Sequence, residues 1–248
     1  MKVDILASGS GGNCIAIRSG TTTILVDAGV AKTKIEKRLL EVGIRVDEIA
    51  AIFITHAHGD HIKGLPLANK YRIPVYAAEN EWKSIQDVNE ELRRPLLHGE
   101  CVLMPHHRDI VVDYFRTHHD AYDSLGYVID GELKVSVCLD TGKVDSEMLE
   151  AMQGSDIYII EANHDPEMVA ESSYPDSVKA RILSDLGHLS NGQCADALKR
   201  LVQGRGERIY LTHLSSNNNM PALAEATVKI ALEAKGLKVG QHYFLEVV

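Results

Sequence analysis

The chain lacks any long apolar run. Its longest uninterrupted stretches are about the length of Ile49-Ala50-Ala51-Ile52-Phe53-Ile54, far below the roughly 20 residues needed to span a bilayer. No membrane association is expected. The opening residues, Met1-Lys2-Val3-Asp4-Ile5, lead at once into a Gly/Ser stretch, without the apolar segment of a secretory signal. A cytoplasmic location is therefore expected. Cysteine is scarce, and Cys14, Cys101, Cys138 and Cys194 are widely and irregularly spaced. That spacing fits neither a zinc knuckle nor a disulfide framework, so reduced and mostly buried thiols are expected. With 7 Pro, 19 Gly and no low-complexity tract, no flexible linker is foreseen. Positive charge is also in deficit: 26 Lys and Arg against 35 Asp and Glu leave a net −9. A histone-like polyanion coat is excluded, although a local basic groove is not.

What remains is a chain of 248 residues, 45% hydrophobic and 25% charged, able to bury a large core. Several Val- and Ile-rich runs end abruptly in polar residues, as buried strands do when they deliver their last side chains into a cleft. Thr23–Val26 ends in Asp27-Ala28-Gly29, Ala51–Ile54 in Thr55-His56, and Val135–Leu139 in Asp140-Thr141-Gly142. Ile157–Ile160 ends in Glu161, and Arg208–Leu211 in Thr212-His213. Between them lie punctuated helices. Ala31–Val42 stops at Gly43, Ser190-Asn191-Gly192-Gln193 reads as a capping box opening a helix to about Gln203, and another helix runs from about Pro221 to Lys235 before Gly236. The class is α/β, read as a single domain over 1–248 with two similar halves, about 1–124 and 125–248.

Twelve histidines are the compositional oddity, and they are unevenly placed. Thr55-His56-Ala57-His58-Gly59-Asp60-His61 places four candidate metal ligands directly after a buried strand. Side chains two apart on an extended segment share a direction, so His56 and His58 can reach one ion. Gly59 then permits a sharp turn that aims Asp60 and His61 at a second, as two-metal hydrolytic sites require. Further ligands must come from elsewhere in the chain.

Here the sequence resembles the metallo-β-lactamase superfamily, whose His-x-His-x-Asp-His signature is matched in full by His56, His58, Asp60 and His61. Val26-Asp27-Ala28-Gly29, Thr117-His118-His119-Asp120, Leu139-Asp140-Thr141-Gly142 and Leu211-Thr212-His213-Leu214-Ser215 match its other motifs, so the resemblance covers nearly the whole chain. It implies an αββα four-layer sandwich. It assigns His56, His58 and His119 to one divalent ion, Asp60, His61 and His213 to another, and Asp140 between them. His118 is the adjacent alternative to His119, and spacing does not choose between them. Asp27 is expected to orient the ligand loop rather than bind metal. The imidazole and carboxylate donors suit two ions of Zn or Mn, with Fe also compatible. Asp140, where some lactamases carry a Cys, points toward the phosphodiesterase and thioester branches.

Ile159-Ile160-Glu161-Ala162 and Gly187-His188-Leu189-Ser190 resemble motifs of the superfamily's tRNA 3′-processing nucleases, which implies His188 as the leaving-group acid and Glu161 as its orienter. Chemistry agrees: an expelled alkoxide benefits from a donor, and a carboxylate beside an imidazole keeps it protonated. Asp60 completes the expected catalytic set.

A narrower likeness, carried by Leu6–Cys14, Glu161–Asp165, Gly187–Asn191 and His213–Asn218, is to YycJ/WalJ-type bacterial proteins. It implies a 5′→3′ exonuclease on double-stranded DNA that works in DNA repair, with DNA as substrate, repair proteins as possible partners, and a hydroxide held between two cations attacking phosphorus. His164, Asn163, Ser215 and Asn13 are candidate substrate-binding residues, although such residues also build ordinary loops. The Gly9–Asn13 loop is a candidate anion cradle. Arg93-Arg94, His107-Arg108, Lys179, Arg181, Lys199, Arg200, Arg205 and Arg208 are candidates for a cationic track. A small-molecule hydrolase acting on a cyclic phosphodiester or thioester is the competing expectation.

Overall fold

The computed structural model describes residues 1–97, 101–104 and 110–248. His107 and Arg108 therefore lie outside the described residues. Two compact units emerge: residues 1–113, 121–125 and 130–132, and residues 114–120, 126–129 and 133–248.

The first unit carries a six-stranded sheet of β1 (Lys2–Ala7), β2 (Cys14–Ser19), β3 (Thr22–Val26), β4 (Ile49–Phe53), β5 (Val75–Ala78) and β6 (Arg93–Leu96), in that spatial order. The first three strands are antiparallel, and β3 to β6 are parallel. All five residues of β3 are buried, as expected of a strand packed on both faces. Helix α1 (Lys32–Glu41) buries Ile35 and Leu39, and Gly43 follows it with φ 73°, the left-handed ending foreseen from the sequence. Two short helices follow, α2 (Gly59–Ile62) and α3 (Pro66–Tyr71). The core joins Leu25, Leu39, Ile52, Ile54, Leu67 and Val75.

A second sheet contains β7 (Val102–Leu103), β8 (Val111–Arg116), β9 (Leu125–Asp130), β10 (Lys134–Cys138), β11 (Ile157–Glu161), β12 (Glu207–Thr212) and β13 (Tyr243–Val247), ordered β13-β12-β11-β10-β9-β8-β7. Strands β10 to β13, all in the second unit, are parallel. The unit's helices are α4 (Ser146–Met152), α5 (Pro166–Glu171), α6 (Asp176–Ile182), α7 (Asn191–Leu201) and α8 (Pro221–Glu233). The capping box is formed: Ser190 Oγ accepts the Gln193 N–H at 3.2 Å and Gln193 Oε1 accepts the Ser190 N–H at 2.9 Å. Helix α7 buries Cys194, Ala197, Leu198 and Leu201 and exposes Gln193, Asp196, Lys199 and Arg200. Its buried face joins a core with Tyr158, Ile160, Leu211 and Val228. Cys14, Cys138 and Cys194 are buried free thiols, whereas Cys101 is exposed. No helix among the described residues is long and apolar enough to cross a membrane.

Parallel pairing explains where the polar strand ends go. Val26 lies beside Phe53, Cys138 beside Ile160, and Glu161 beside Thr212. Within each sheet the residues after these strands therefore leave from one edge, the position at which open α/β sheets bind ligands.

Candidate metal centre and proton donor

In the first unit, Asp27 turns the chain at the end of β3 with φ 62°, a left-handed conformation that costs a non-glycine residue about 1–2 kcal/mol. Its bonds hold it there. The Asp27 N–H donates to Phe53 O at 2.8 Å, and its carboxylate accepts from the Thr55 N–H at 2.8 Å, Thr55 Oγ1 at 2.9 Å and His61 Nδ1 at 2.7 Å. Burial raises the Asp27 pKa, against the opposing pull of His61 and Thr55. With Nδ1 held, His61 presents Nε2 3.2 Å from Asn13 Nδ2 and 3.7 Å from the Asp60 carboxylate. Asp27 thus fixes a histidine tautomer, as carboxylates behind metal ligands do.

His56 is anchored in the same way, with Nδ1 3.1 Å from Thr55 Oγ1 and Nε2 only 2.9 Å from His58 Nδ1. Imidazole nitrogens opposed at this distance share either a proton or a cation. Gly59 does not make the sharp turn expected from the sequence. His58 caps α2 and accepts the His61 N–H at 2.9 Å, so a helical turn redirects Asp60 and His61. Gly29 is sterically required, since a Cβ there would lie 1.6 Å from Asp60 O and 2.5 Å from Asn13 N.

One participant was not legible in the sequence. Glu81, 1% exposed, accepts the Ala57 N–H at 2.7 Å and the Asp123 N–H at 2.6 Å. It thereby clamps the peptide between His56 and His58. Within Glu79-Asn80-Glu81-Trp82 it reads as one more surface carboxylate.

In the Gly9–Asn13 loop three of the five amides have partners within the protein. Gly9 N–H donates to Asn13 Oδ1, Gly12 N–H to Gly9 O, and Asn13 N–H to Asp60 O. Those amides are committed internally. Asn13, 1% exposed, braces the metal loop.

In the second unit, Asp140 and His213 also adopt left-handed conformations, with φ 44° and 56°. Asp140, Glu161, His188 and His213 each offer a donor atom within 4.8 Å of the others. Glu161, fully buried at the end of β11, is the hub. Its Oε1 accepts from His188 Nδ1 at 2.6 Å and His213 Nδ1 at 2.8 Å, while Oε2 accepts the N–H groups of Thr141 and Leu189, both at 3.2 Å. Burial would raise its pKa, but the two imidazoles outweigh burial and hold it below the usual carboxylate range. For His188, burial disfavours the charge, but Glu161 and then Asp140 more than compensate, so its pKa is raised. The sequence pairs Glu161 with His188 alone; the structure adds His213, whose Nδ1 is also 2.6 Å from Asp140 Oδ1.

The two adjacent histidines separate. His118 Nε2 lies 2.6 Å from Asp145 Oδ2. His119 is buried, anchored by Nδ1 to Gly187 O at 3.0 Å, with Nε2 3.2 Å from Asp120 Oδ1 and 3.9 Å from Asp140 Oδ2. Burial lowers its pKa and keeps the ring neutral, the form that ligates a cation.

The candidate substrate contacts fare unevenly. Asn163 donates through Nδ2 to His213 O at 2.8 Å, so it supports the ligand loop. Ser215 Oγ accepts the Asn218 N–H at 3.1 Å, as in a turn. His164 is not a surface residue: it is 1% exposed, with Nδ1 lacking a hydrogen-bond partner, and burial lowers its pKa to about 4. Of the cationic candidates, Arg181 pairs with Asp120 at 2.7 Å, Arg205 faces Glu207 at 3.7 Å, and Arg93 lies over the Trp82 ring.

The donor chemistry of both units fits a divalent cation. His56, His61, His119 and His213 are each anchored through Nδ1, and Asp60 and Asp140 add carboxylate oxygens to the imidazole nitrogens.

The profile of the β-lactamase superfamily domain matches residues 22–214. Exodeoxyribonuclease YycJ of Bacillus anthracis is 36% identical, the alignment covering 98% of this chain and 93% of that protein. Exodeoxyribonuclease WalJ of Streptococcus pneumoniae serotype 2 (strain D39 / NCTC 7466) is 38% identical over 96% and 91%. Among solved structures, the metallo-β-lactamase fold protein YhfI of Bacillus subtilis superposes with TM-score 0.73 at 16% identity, covering 98% and 95% of the two chains. Human tRNase Z, short form, does so with TM-score 0.65 at 22% identity, covering 87% and 93%. The architecture is thus the αββα metallo-β-lactamase fold, and the family match with the two near-full-length relatives makes the chain a metal-dependent hydrolase. The chain belongs to the YycJ/WalJ type within the β-lactamase superfamily.

Proposed function

We propose that the protein is an exodeoxyribonuclease that degrades double-stranded DNA in the 5′→3′ direction and serves DNA repair in the cytoplasm. The observation that carries the nuclease reading is the His188–Glu161 pair at 2.6 Å. Phosphodiester cleavage expels an alkoxide that needs a proton, and a histidine with a raised pKa beside a buried carboxylate can hold one at neutral pH. The near-full-length similarity to two proteins named exodeoxyribonucleases supports DNA as substrate. Strand polarity and the repair role rest on the family likeness of the long motifs around Gly9, Glu161, His188 and His213.

In this reading His56, His58 and His119 would hold one divalent ion and Asp60, His61 and His213 a second, with Asp140 available as a further ligand. Zn or Mn suits these donors, and Fe is compatible. When bound, the ions neutralise charge developing on the phosphoryl oxygens and acidify water. The protein's own groups do the rest. Glu161 fixes His188 through Nδ1, which leaves the Nε2–H of the imidazolium to protonate the departing 3′ oxygen. Asp27 and Glu81 hold the histidine loop in one geometry. The raised pKa of His188 favours this protonated form.

The test is a divalent-metal screen on 5′- and 3′-labelled duplexes, with a cyclic nucleotide and a thioester alongside. Metal-dependent release of nucleotides from the 5′ end, lost in His188→Ala, is expected. Hydrolysis of the cyclic nucleotide or thioester, with duplexes untouched under every metal, would overturn the reading.

A further inference from the structure

The second unit carries a groove that belongs to neither the metal ligands nor the proton donor. It has a volume of about 710 Å³ and is lined by Lys143, Val144, Leu149, Gln193, Asp196, Ala197, Lys199, Arg200 and Lys235. Four of these are cations and one is a carboxylate, an inversion of local charge in a chain whose net is −9. The floor of Val144, Leu149 and Ala197 is apolar.

The cations differ in how they are engaged. Lys143 pairs with Asp185 at 2.8 Å. Lys235 donates to Lys199 O at 2.9 Å and Val202 O at 2.5 Å, which satisfies carbonyls at the end of α7 without neutralising the ammonium. Lys199 and Arg200 are exposed on the last turn of α7, and among the described residues neither has a carboxylate partner. Two uncompensated cations beside each other are unfavourable in isolation and invite an anion.

One end of the groove is tied to the reacting region. Gln193 Nε2 donates to Gly142 O at 3.0 Å, and Gly142 follows Asp140-Thr141. Helix α7 starts directly after Ser190, two residues beyond His188, and its last turn holds Lys199 and Arg200. At 1.5 Å per residue Lys199 stands about 13 Å along the helix from Ser190. With 3.4 Å of axial rise per nucleotide of one strand, that distance is about four nucleotides.

We infer that this groove is a track for the phosphodiester backbone of a nucleic-acid strand, with Lys199 and Arg200 contacting phosphates about four nucleotides beyond the Ser190 end of α7. The inference rests on the nuclease reading above and deepens it. Charge complementarity selects the occupant: a polyanion with evenly spaced charges and an apolar sugar edge matches cations above an apolar floor.

The test uses the metal-loaded full chain carrying Lys199→Gln with Arg200→Gln; Lys235 is left unchanged because it caps α7. Each lost phosphate contact lowers the slope of log affinity against log salt by about 0.9. The double variant should therefore lose about 1.8 from that slope on a 20-base-pair duplex, and its kcat/KM on that duplex should fall about tenfold more than on bis(p-nitrophenyl) phosphate. A charge-reversed Lys199→Glu, Arg200→Glu variant should lose more, and circular dichroism checks that both are folded. An unchanged slope, or equal losses on both substrates, in a protein whose wild type cuts duplex overturns the groove alone. A wild type that neither binds nor cuts duplex overturns the nuclease reading and the groove with it.

Discussion

Glu161 holds His188 and His213 through a single oxygen, accepting from His188 Nδ1 at 2.6 Å and from His213 Nδ1 at 2.8 Å. The carboxylate thus positions a proton donor and a candidate metal ligand together. Loss of Glu161 should consequently impair both tasks.

Glu161→Gln should lower kcat on DNA by about 10²-fold or more, because a neutral amide does not stabilise the imidazolium and its NH₂ faces N–H donors where a carboxylate oxygen accepted them. The pH profile should also change. In the wild type the raised His188 pKa keeps activity until pH climbs through that value; in the variant the alkaline limb should move to lower pH. Wild-type kcat with an unmoved limb would contradict this role.

His119 and His118 should separate cleanly in metal content. His119, buried and neutral with Nε2 toward Asp140, is the expected ligand. His118 is engaged with Asp145 in a pair about one-third exposed. Elemental analysis of His119→Ala should show clear metal loss, whereas His118→Ala should keep its metal and lose no more than about 1 kcal/mol of stability. The reverse pattern would exchange the assignments.

Glu81→Gln places an amide NH₂ against one of two backbone N–H donors, Ala57 or Asp123. An unsatisfied buried donor costs about 1–3 kcal/mol. Denaturant melts should register that loss, and metal affinity should weaken because the clamped peptide joins His56 to His58. Unaltered melts and unaltered metal titrations would show that the clamp is dispensable.

Asp145 links pH to stability. Burial would raise its pKa, but the Met148 N–H and then His118 outweigh burial and lower it. A folded pKa below the unfolded one means that the contribution is present above the ordinary carboxylate range and disappears as pH falls through the lowered value. Asp145→Ala removes this cap of α4 and should cost about 0.5–1 kcal/mol at pH 7, toward the low end because the side chain is 36% exposed. Melts of both proteins should converge in acid; a gap that persists there would refute the linkage.

Much of the architecture is readable one segment at a time. The buried runs ending at Asp27, Asp140, Glu161 and His213 correspond to β3, β10, β11 and β12, because a central parallel strand must be apolar nearly throughout. Gly59 misleads: glycine permits a turn without requiring one, and here it opens α2. Composition likewise does not reveal that the amides of Gly9, Gly12 and Asn13 face Asn13 Oδ1, Gly9 O and Asp60 O.

By itself the sequence determined the α/β alternation, the cap at Ser190 and the cluster from His56 to His61, because each depends on residues within a few positions of one another. Tertiary structure alone decided that His119 anchors on Gly187 O, that Glu161 serves two histidines, that Glu81 clamps Ala57, and that Lys143, Lys199, Arg200 and Lys235 line one groove. Those relations are set by parallel strand register and by loops packing from distant parts of the chain, and no local spacing encodes which buried donor will meet which acceptor.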